Sequence, residues 1–406
     1  MYTCTPEDVG LSASRLARIR PAMQFYLDAS LAPGFQIAIA RRGKLAFTDC
    51  FGWQDCETSL PLRDDAIFRI YSMTKPIATT ALMILVEEGR VLLNQPVSRY
   101  IPAFKDLKVL ASAPAQPGGA LALEPLQGEI TILDLARHTS GLGYGLFADS
   151  PVEDLFRGAG FFDYAKLIGT VPLAEMVERI TELPLANQPG ARWRYSIAID
   201  VIGRLVEIIS GRAFGEFLKE RIFDPLGMVD TGFFVPPARL DRFTTMYSPG
   251  PAGTILPLDR PDDSPYTNPQ ATQAGGSGLV STTTDYLRYA QAMLNGGELD
   301  GERILSPHTV ARMASSHLPP ELLPYIVDGL PSPGMGFGLG FGVVMDGALS
   351  GGPLTNGTFH WGGAASTSFF IDPREQLTAV LMTQVLNNLT PFGEVFNELV
   401  YQAIIE

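Results

Sequence analysis

The 406-residue sequence contains only three cysteines and six lysines. Cys4, Cys50 and Cys56 form an odd set without metal-ligand spacing, so nothing indicates a disulfide framework, and a reducing compartment fits best. The longest apolar stretches, such as Ala81–Val86, fall far short of the roughly 18 residues that a membrane span needs. The N-terminal residues also lack a secretory signal, and we therefore expect a cytoplasmic protein with no membrane partner.

Basic residues are outnumbered in this chain, since 30 lysines and arginines stand against 43 aspartates and glutamates, for a formal net charge of -13. Because non-specific nucleic-acid binding comes from neutralising phosphates with Lys and Arg, we expect no nucleic-acid partner. The chain also lacks a dinucleotide-binding glycine fingerprint and the helical metal motif of zinc proteases, so we expect neither a cofactor nor a metal. With 46% hydrophobic and 18% charged residues, it is typical of a globular protein with a large core, and it indicates no oligomeric state.

Strand patterns occur at both ends of the chain, and helical patterns lie mostly between them. The predicted strands are Phe35–Ala40, Lys44–Thr48, Gly340–Met345, Thr367–Ile371 and Thr378–Met382. The predicted helices are Leu11–Leu31, Ser72–Glu88, Ile132–Arg137, Leu173–Thr181, Ile199–Ser210, Phe214–Ile222, Thr284–Leu294 and Phe392–Ile405. We therefore predict an α/β fold in which residues 1–75 and 275–406 form a discontinuous domain with a central antiparallel sheet flanked by helices. Residues 76–274 form an inserted, mainly helical domain, and the active site lies at the interface of the two.

The segment Tyr71–Pro76 contains a serine and a lysine three residues apart, Ser72 and Lys75. The pair alone is a weak signal, because chance supplies roughly 0.3 such pairs in a chain of this composition. Proline is tolerated only in the first turn of a helix, so Pro76 places Ser72 at a helix N-terminus, where free N–H groups favour negative charge. Lys75 then lies on the same face as Ser72. The alternative is a capping serine followed by a surface lysine.

Apolar neighbours on this helix predict that Lys75 is partly removed from water. They are Ile77, Ala78, Ala81, Leu82 and Leu85. Burial disfavours the ammonium form, and a lysine with a lowered pKa can take the proton of a serine hydroxyl. A serine hydroxyl is a weak nucleophile that requires such activation, which an arginine cannot provide. Ser72 and Lys75 are therefore a candidate nucleophile and base.

Two further motifs follow in the chain: Trp193–Ser196, which opens a predicted helix, and His360–Gly363, on a predicted strand. Together with Ser72–Lys75, and in this order, they resemble the motifs of the penicillin-binding serine hydrolases and, within them, class C β-lactamases and family VIII carboxylesterases. The Trp-Gly-Gly form of the third motif and the Tyr-Ser-x-x-x-Asp form of the second, Tyr195–Asp200, are most similar to the esterases. Connecting segments extend the resemblance over nearly the whole chain, namely Asp134–Leu142, Asp224–Met228 and Gly275–Ser281.

The resemblance implies a catalytic role for Ser72, Lys75 and Tyr195. Ser72 would form an acyl-enzyme that water then hydrolyses. The Tyr195 phenol would hydrogen-bond to Ser72, and a nearby Lys75 ammonium is expected to lower the pKa of Tyr195 and favour the phenolate. Either group can then be the base, so the hypothesis names a coupled Lys–Tyr pair. The alternative for Tyr195 is a core tyrosine at a helix start.

The resemblance also implies an oxyanion hole made by the backbone N–H groups of Ser72 and Ala364. Gly362 and Gly363, directly before Ala364, fit a strand that bounds the pocket, because a residue without a side chain lets substrate approach the backbone. The alternative for this glycine pair is a β-bulge.

The expected substrate is a small carboxylic ester with a short or medium acyl group. Trp361 stands where β-lactamases carry a lysine, which removes a cation for a substrate carboxylate. Ile197 stands where they carry an asparagine, and isoleucine offers no hydrogen bond to a substrate amide. The candidate wall of an apolar pocket is aromatic: Tyr144, Phe147, Phe161, Phe162, Phe337 and Trp361.

Other functions stay open at this point. One class is a β-lactamase, D-aminopeptidase or acyltransferase on the same scaffold; another is a non-catalytic binding module, which would not require an activated serine. Three polar residues favour structural roles. We expect His138 to hydrogen-bond within the core, the His360 side chain to alternate away from that of Trp361, and Asp200 to complement a helix dipole.

Overall fold

The computed structural model describes residues 2–112, 120–161, 169–327 and 329–406. Its α-helices over these ranges are α1 (Ala13–Leu16), α2 (Ile19–Asp28), α3 (Thr74–Glu87), α4 (Ile132–Ala136), α5 (Pro151–Gly158), α6 (Leu173–Thr181), α7 (Ala198–Ser210), α8 (Phe214–Leu218), α9 (Asp224–Leu226), α10 (Thr283–Leu294), α11 (Pro307–Met313), α12 (Gly347–Ser350) and α13 (Phe392–Tyr401). Its strands are β1 (Tyr2–Thr3), β2 (Gly34–Arg41), β3 (Lys44–Asp55), β4 (Leu60–Pro61), β5 (Phe68–Arg69), β6 (Lys108–Ser112), β7 (Ala122–Pro125), β8 (Met246–Pro249), β9 (Ile255–Asp259), β10 (Val280–Ser281), β11 (Glu298–Leu299), β12 (Glu302–Arg303), β13 (Ile326–Val327), β14 (Leu330–Pro331), β15 (Met335–Phe337), β16 (Gly342–Val344), β17 (Phe359–Gly362), β18 (Ser368–Asp372) and β19 (Leu377–Met382). None of these helices is both long and apolar enough to cross a bilayer.

A nine-stranded sheet lies at the centre of the described ranges. Its order is β1-β3-β2-β19-β18-β17-β16-β15, with β4 added beside β3. The pair β1–β3 is parallel, and the other neighbours are antiparallel. The strands therefore come from the two ends of the chain, as their sequence patterns predict. The domain boundaries at residues 75 and 275 stay a prediction.

The two faces of the sheet support separate cores. On β19, Leu377, Ala379 and Leu381 pack on one face, in a core that includes residues of α1, α2 and α13. Val380 and Met382 point to the opposite face and join the main core. Helix α10 packs on that face against β2, β18 and β19, and α3 packs on α7 within the same core. Layers of helix therefore cover both faces of the sheet.

The first two strands predicted from the sequence form an antiparallel hairpin, β2 and β3. Arg42 and Gly43 form its turn with φ angles of 51° and 76°, and positive φ at both positions is what a two-residue hairpin turn of matching twist requires. All eight residues of β2 are buried, because the strand lies inside the sheet with helices on both faces. The hairpin joins the N-terminal strands to β19.

The single N-terminal helix predicted over Leu11–Leu31 is wrong, since two helices, α1 and α2, occupy that segment. Ser12 caps the first of them by accepting a hydrogen bond from the Arg15 N–H. The break precedes Pro21, which is the third residue of α2. Proline fits only in a first helical turn, so a second helix has to begin just ahead of it.

Helix α3 is buried over the twelve residues Thr74–Leu85. Pro76 occupies its first turn, as predicted, and Gly89 follows its end with a φ of 69°. A 3₁₀ turn, Tyr71–Met73, leads into it directly from β5. This connection places Ser72 between a strand and the N-terminus of a helix in the main core.

Candidate active site

Ser72 lies in the 3₁₀ turn between β5 and α3, and its side chain is partly exposed. The preceding residue, Tyr71, has a φ of 40°, a left-handed conformation that is strained for a residue with a side chain. Its ring is buried, and its hydroxyl donates to the Met246 Sδ at 3.1 Å. The strained turn presents the Ser72 hydroxyl at the helix N-terminus.

Lys75 lies one turn further along α3, and its side chain is almost completely buried, with 1% exposed. Its Nζ atom is 3.0 Å from the Ser72 Oγ, 2.7 Å from the Gly276 carbonyl oxygen and 3.3 Å from the Tyr144 hydroxyl. An ammonium donates to all three, whereas a neutral amine donates two protons and can accept the third from Ser72. Burial lowers the pKa of Lys75 from its ordinary 10.5 to about 7.

Asp200 lies close to this lysine in the buried region. Its Oδ1 atom accepts the Gly276 N–H at 3.0 Å, while the Gly276 carbonyl accepts from Lys75. Burial raises the pKa of Asp200, and its negative charge acts against the lowering of the Lys75 pKa. Asp200 therefore does more than complement a helix dipole, because it is electrostatically coupled to Lys75.

Tyr195 precedes α7, and its hydroxyl donates to the Ser72 Oγ at 2.7 Å. The Lys75 Nζ lies 4.6 Å from the centre of its ring. Burial raises the pKa of Tyr195, and its hydrogen bonds with Ser72 and Trp361 oppose that shift without reversing it. The expectation that Lys75 favours a phenolate is therefore wrong, because the free-energy cost of removing the phenolate from water exceeds the stabilisation that its neighbours provide.

Gly363 lies where strand β17 ends beside the Ser72 turn. A Cβ atom on Gly363 would be 2.4 Å from the Ile70 carbonyl oxygen and 2.3 Å from the Thr367 Oγ1, so only glycine fits. The contact brings Gly362, Gly363 and Ala364 against the turn that holds the serine. The N–H groups of Ser72 and Ala364 donate to no acceptor among the described residues, which leaves both available to an oxyanion.

A family model described as Beta-lactamase matches residues 19–396. The chain belongs to the beta-lactamase family. An uncharacterized protein of Mycobacterium tuberculosis is 36% identical over 368 residues, which cover 88% of this chain and 87% of its own. Esterase EstB of Burkholderia gladioli is 32% identical over 387 residues, which cover 92% of this chain and 91% of its own. The solved structure of EstCE1, described as a hydrolase with promiscuous acyltransferase activity, has a TM-score of 0.81 at 27% identity, and the match covers 96% of this chain and 99% of that one.

These matches confirm the family and the fold that the three motifs predict. The chain is an enzyme, a serine hydrolase or acyltransferase built on the β-lactamase scaffold. Within the described ranges, no group of three or more His, Cys, Asp or Glu side chains is arranged to hold a metal ion.

In this beta-lactamase-family enzyme the predicted aromatic wall divides between surface and core. The Trp361 ring is partly exposed, with its centre 5.5 Å from that of Tyr195. Phe337 is only 1% exposed and packs behind Trp361 and against His138, so the expectation that it lines the pocket is wrong. Strand β15 turns this side chain toward the interior. Tyr144 contacts Lys75 through its hydroxyl.

A cavity of about 260 Å³ opens beside Tyr195. It is lined by Phe147, Ala148, Asp149, Arg192, Trp193, Arg194, Tyr195, Ile326 and Gly329. Phe147 lines the same cavity as Tyr195, and its role in binding substrate stays a prediction. Phe161 is buried against Phe156, away from this lining, and Phe162 lies outside the described residues.

His138 is fully buried and has the core role expected from the sequence. Its Nδ1 atom accepts the Ser196 N–H at 3.3 Å, and burial lowers its pKa well below 6.5. Burial also lowers the pKa of His360, to about 4, so at neutral pH both rings are uncharged.

Arg69 anchors the strand before Ser72, and no sequence pattern indicates this role. Its fully buried guanidinium binds Asp259 at 2.7 Å and stacks 3.9 Å from the centre of the Phe243 ring.

Proposed function

We propose that this enzyme is a carboxylesterase that hydrolyses short- to medium-chain acyl esters through an acyl-enzyme at Ser72. The observation that carries the proposal is the convergence of two groups on the Ser72 Oγ: the Lys75 Nζ at 3.0 Å and the Tyr195 hydroxyl at 2.7 Å. A serine nucleophile requires a neighbouring group that accepts its proton, and these distances are within hydrogen-bond reach.

Lys75 is the better base of the two. Burial lowers the pKa of Lys75 and so favours the neutral amine that can accept a proton, whereas Tyr195 keeps its proton because burial raises its pKa. The amine accepts the Ser72 proton as Oγ attacks the ester carbonyl. The Tyr195 hydroxyl then lies beside the bond that breaks, where it can pass a proton to the departing alcohol and recover one from Lys75.

The tetrahedral intermediate places a negative charge on the former carbonyl oxygen. The free N–H groups of Ser72 and Ala364 are the donors for that oxygen, and the helix N-terminus at α3 adds its dipole. Collapse of the intermediate releases the alcohol and leaves the acyl group on Ser72. Water repeats the sequence in the second half of the reaction, with Lys75 again taking the proton.

Trp361 favours an ester over a β-lactam. The indole at this position cannot neutralise a lactam carboxylate as a lysine does, and its N–H is directed to Tyr195. An ester has no carboxylate to satisfy and packs against the exposed part of the ring. Ile197 does not contribute as expected from the sequence, because it is fully buried in the main core. The similarity to esterase EstB supports this preference for esters.

The test compares two substrates on one enzyme. We expect kcat/KM for p-nitrophenyl acetate or butyrate to exceed that for a chromogenic cephalosporin by at least about a hundredfold. Mass spectrometry after a fluorophosphonate should place the adduct on the Ser72 peptide, with Ser72→Ala as the control that forms none. Comparable values for the two substrates would reject the esterase proposal and favour a β-lactamase.

Acyl transfer is a second candidate, favoured by the likeness to EstCE1 and its described acyltransferase activity. The same acyl-enzyme would transfer its acyl group to an alcohol in place of water. The measurement is the ratio of new ester to free acid when p-nitrophenyl butyrate is turned over with increasing concentrations of an alcohol. A ratio that rises with alcohol supports transfer, and free acid as the sole product at every concentration rejects it.

A further inference from the structure

A buried ion pair lies behind the two tyrosines of the site. The Glu153 carboxylate, on α5, is 0% exposed and binds the Arg194 Nη1 at 3.0 Å. Arg194, with 5% of its side chain exposed, also binds both carboxylate oxygens of Asp149 at 2.9 and 2.8 Å. Such a pair is a poor choice for stability alone, since well-packed apolar residues of similar volume often do as well.

The second carboxylate oxygen of Glu153 accepts hydrogen bonds from two backbone N–H groups. It accepts the N–H groups of Tyr144 at 3.2 Å and of Gly145 at 2.5 Å. Tyr144 is the residue whose hydroxyl contacts the Lys75 Nζ, and its ring centre lies 5.6 Å from that of Tyr195. Glu153 therefore determines where this loop, and with it one partner of Lys75, can lie.

The other member of the pair is adjacent to Tyr195 in the chain. The Arg194 N–H donates to the His138 carbonyl at 2.8 Å, and its guanidinium is held by Glu153 and Asp149. The segment that presents Tyr195 to Ser72 is thus tied to the same carboxylate as the Tyr144 loop. One ion pair connects the partner of Lys75 with the partner of Ser72.

We infer that Glu153 and Arg194 are positioning residues that align Tyr144 and Tyr195 on Lys75 and Ser72. The inference rests on the proposed role of Ser72 as the nucleophile. It predicts that Glu153→Gln lowers the rate at which Ser72 reacts, and that this effect passes through Tyr144. The glutamine has only one amide oxygen, for which the loop N–H groups and Arg194 then compete. A purely structural role would slow the enzyme whether or not the Tyr144 hydroxyl is present.

The test is a double-mutant cycle on the rate constant for fluorophosphonate labelling of Ser72, measured per folded protein. The four proteins are the wild type, Glu153→Gln, Tyr144→Phe and the double variant. We expect Glu153→Gln to slow labelling at least tenfold in the wild type, and by a factor at least three times smaller in the Tyr144→Phe background. A smaller difference between the two factors, or less than twofold slowing by Glu153→Gln, overturns the inference.

Two further variants serve as a control and as a substitute for Glu153→Gln. Asp154→Asn removes a 73%-exposed carboxylate from the same helix, and it should leave the labelling rate within about twofold; slowing equal to that of Glu153→Gln overturns the inference. If Glu153→Gln does not fold, Asp149→Asn loosens Arg194 from its more exposed side, and it is combined with Tyr195→Phe, because Arg194 is adjacent to Tyr195, under the same threefold criterion.

Labelling reports an activated serine without requiring an ester. A wild type that is labelled at Ser72 but hydrolyses no ester would therefore reject the proposed substrate class, while the cycle still decides the positioning role. A wild type with no label at Ser72 would overturn both.

Discussion

Lys75 and Asp200 are joined through the backbone of a single residue, Gly276. The lysine donates to its carbonyl oxygen at 2.7 Å, and the aspartate accepts its N–H at 3.0 Å. A Cβ on Gly276 would lie 2.6 Å from Asp200 Oδ2, so the arrangement requires glycine at this position. The charge on Asp200 thereby acts on the pKa of the proposed base.

The first prediction concerns Asp200→Asn, which removes that charge while keeping an oxygen for the Gly276 N–H. The Asp200 carboxylate raises the pKa of Lys75, so its loss should lower that pKa further and make the neutral amine available at lower pH. The acid limb of the profile of kcat/KM against pH should therefore move to lower pH. An unchanged limb, or one moved upward, would show that Asp200 does not act on Lys75; the exposed Asp224→Asn serves as control.

The second prediction separates proton transfer from charge at position 75. Lys75→Arg keeps a positive charge but cannot take a proton, so it should reduce kcat about a hundredfold or more, nearly as much as Lys75→Ala. Steady-state kinetics on p-nitrophenyl butyrate provide the measurement. A Lys75→Arg enzyme with more than half of the wild-type activity would mean that the lysine acts only by its charge.

The third prediction concerns Tyr195→Phe, which removes one hydroxyl while keeping the ring. We expect kcat to fall at least about a hundredfold with little change in the thermal unfolding temperature, since the lost group lies 2.7 Å from the Ser72 Oγ. Circular dichroism checks the fold alongside the kinetics. Equal losses of activity and of folded protein would instead assign Tyr195 a structural role.

The fourth prediction tests the oxyanion hole through Gly363→Ala. The new methyl group would meet the Ile70 carbonyl at 2.4 Å, so β17 must move away and carry the Ala364 N–H with it. Loss of one such donor typically reduces kcat about 10²- to 10³-fold. Gly352→Ala, where nothing lies within 4 Å of the added Cβ, is the matched control, and similar rates for the two variants would remove Ala364 from the proposal.

The fifth prediction distinguishes core from pocket at Phe337. Because its ring is buried among Trp193, Tyr325 and Trp361, Phe337→Ala should lower the free energy of unfolding by about 3–5 kcal/mol. Chemical denaturation measures this directly. The control is Leu389→Ala, whose side chain is 98% exposed and whose loss should cost less than about 0.5 kcal/mol. A change in KM without a change in stability would return Phe337 to the pocket.

Local signals in the sequence predicted much of the fold and the centre of the site. Pro76 predicts the start of α3, the β-rich runs predict β2 and β3, and the spacing of Ser72 and Lys75 follows from one helical turn. Each of these depends on residues within a few positions of one another. The proposed nucleophile and base could therefore be identified without a structure.

What the sequence did not reveal depends on contacts between distant segments. Gly276 meets Lys75 across 201 residues, and Arg69 meets Asp259 across 190. Glu153 looks like an ordinary surface residue of an amphipathic helix until the fold encloses it with Arg194. Phe337 was misassigned for the same reason, since a short strand does not indicate which of its faces is covered.

The order of strands in the sheet has a consequence for how the protein is made. Arg41, at the end of β2, donates a hydrogen bond to the backbone of Glu375 across 334 residues, and β17 leads through Gly363 to Ala364, the proposed second oxyanion donor. Loop closure over such a distance is slow, and the N-terminal hairpin has no neighbour on one side until β19 has been synthesised. The hairpin β2–β3 and the strands β15–β18 are therefore joined into one sheet only when β19 is in place between them.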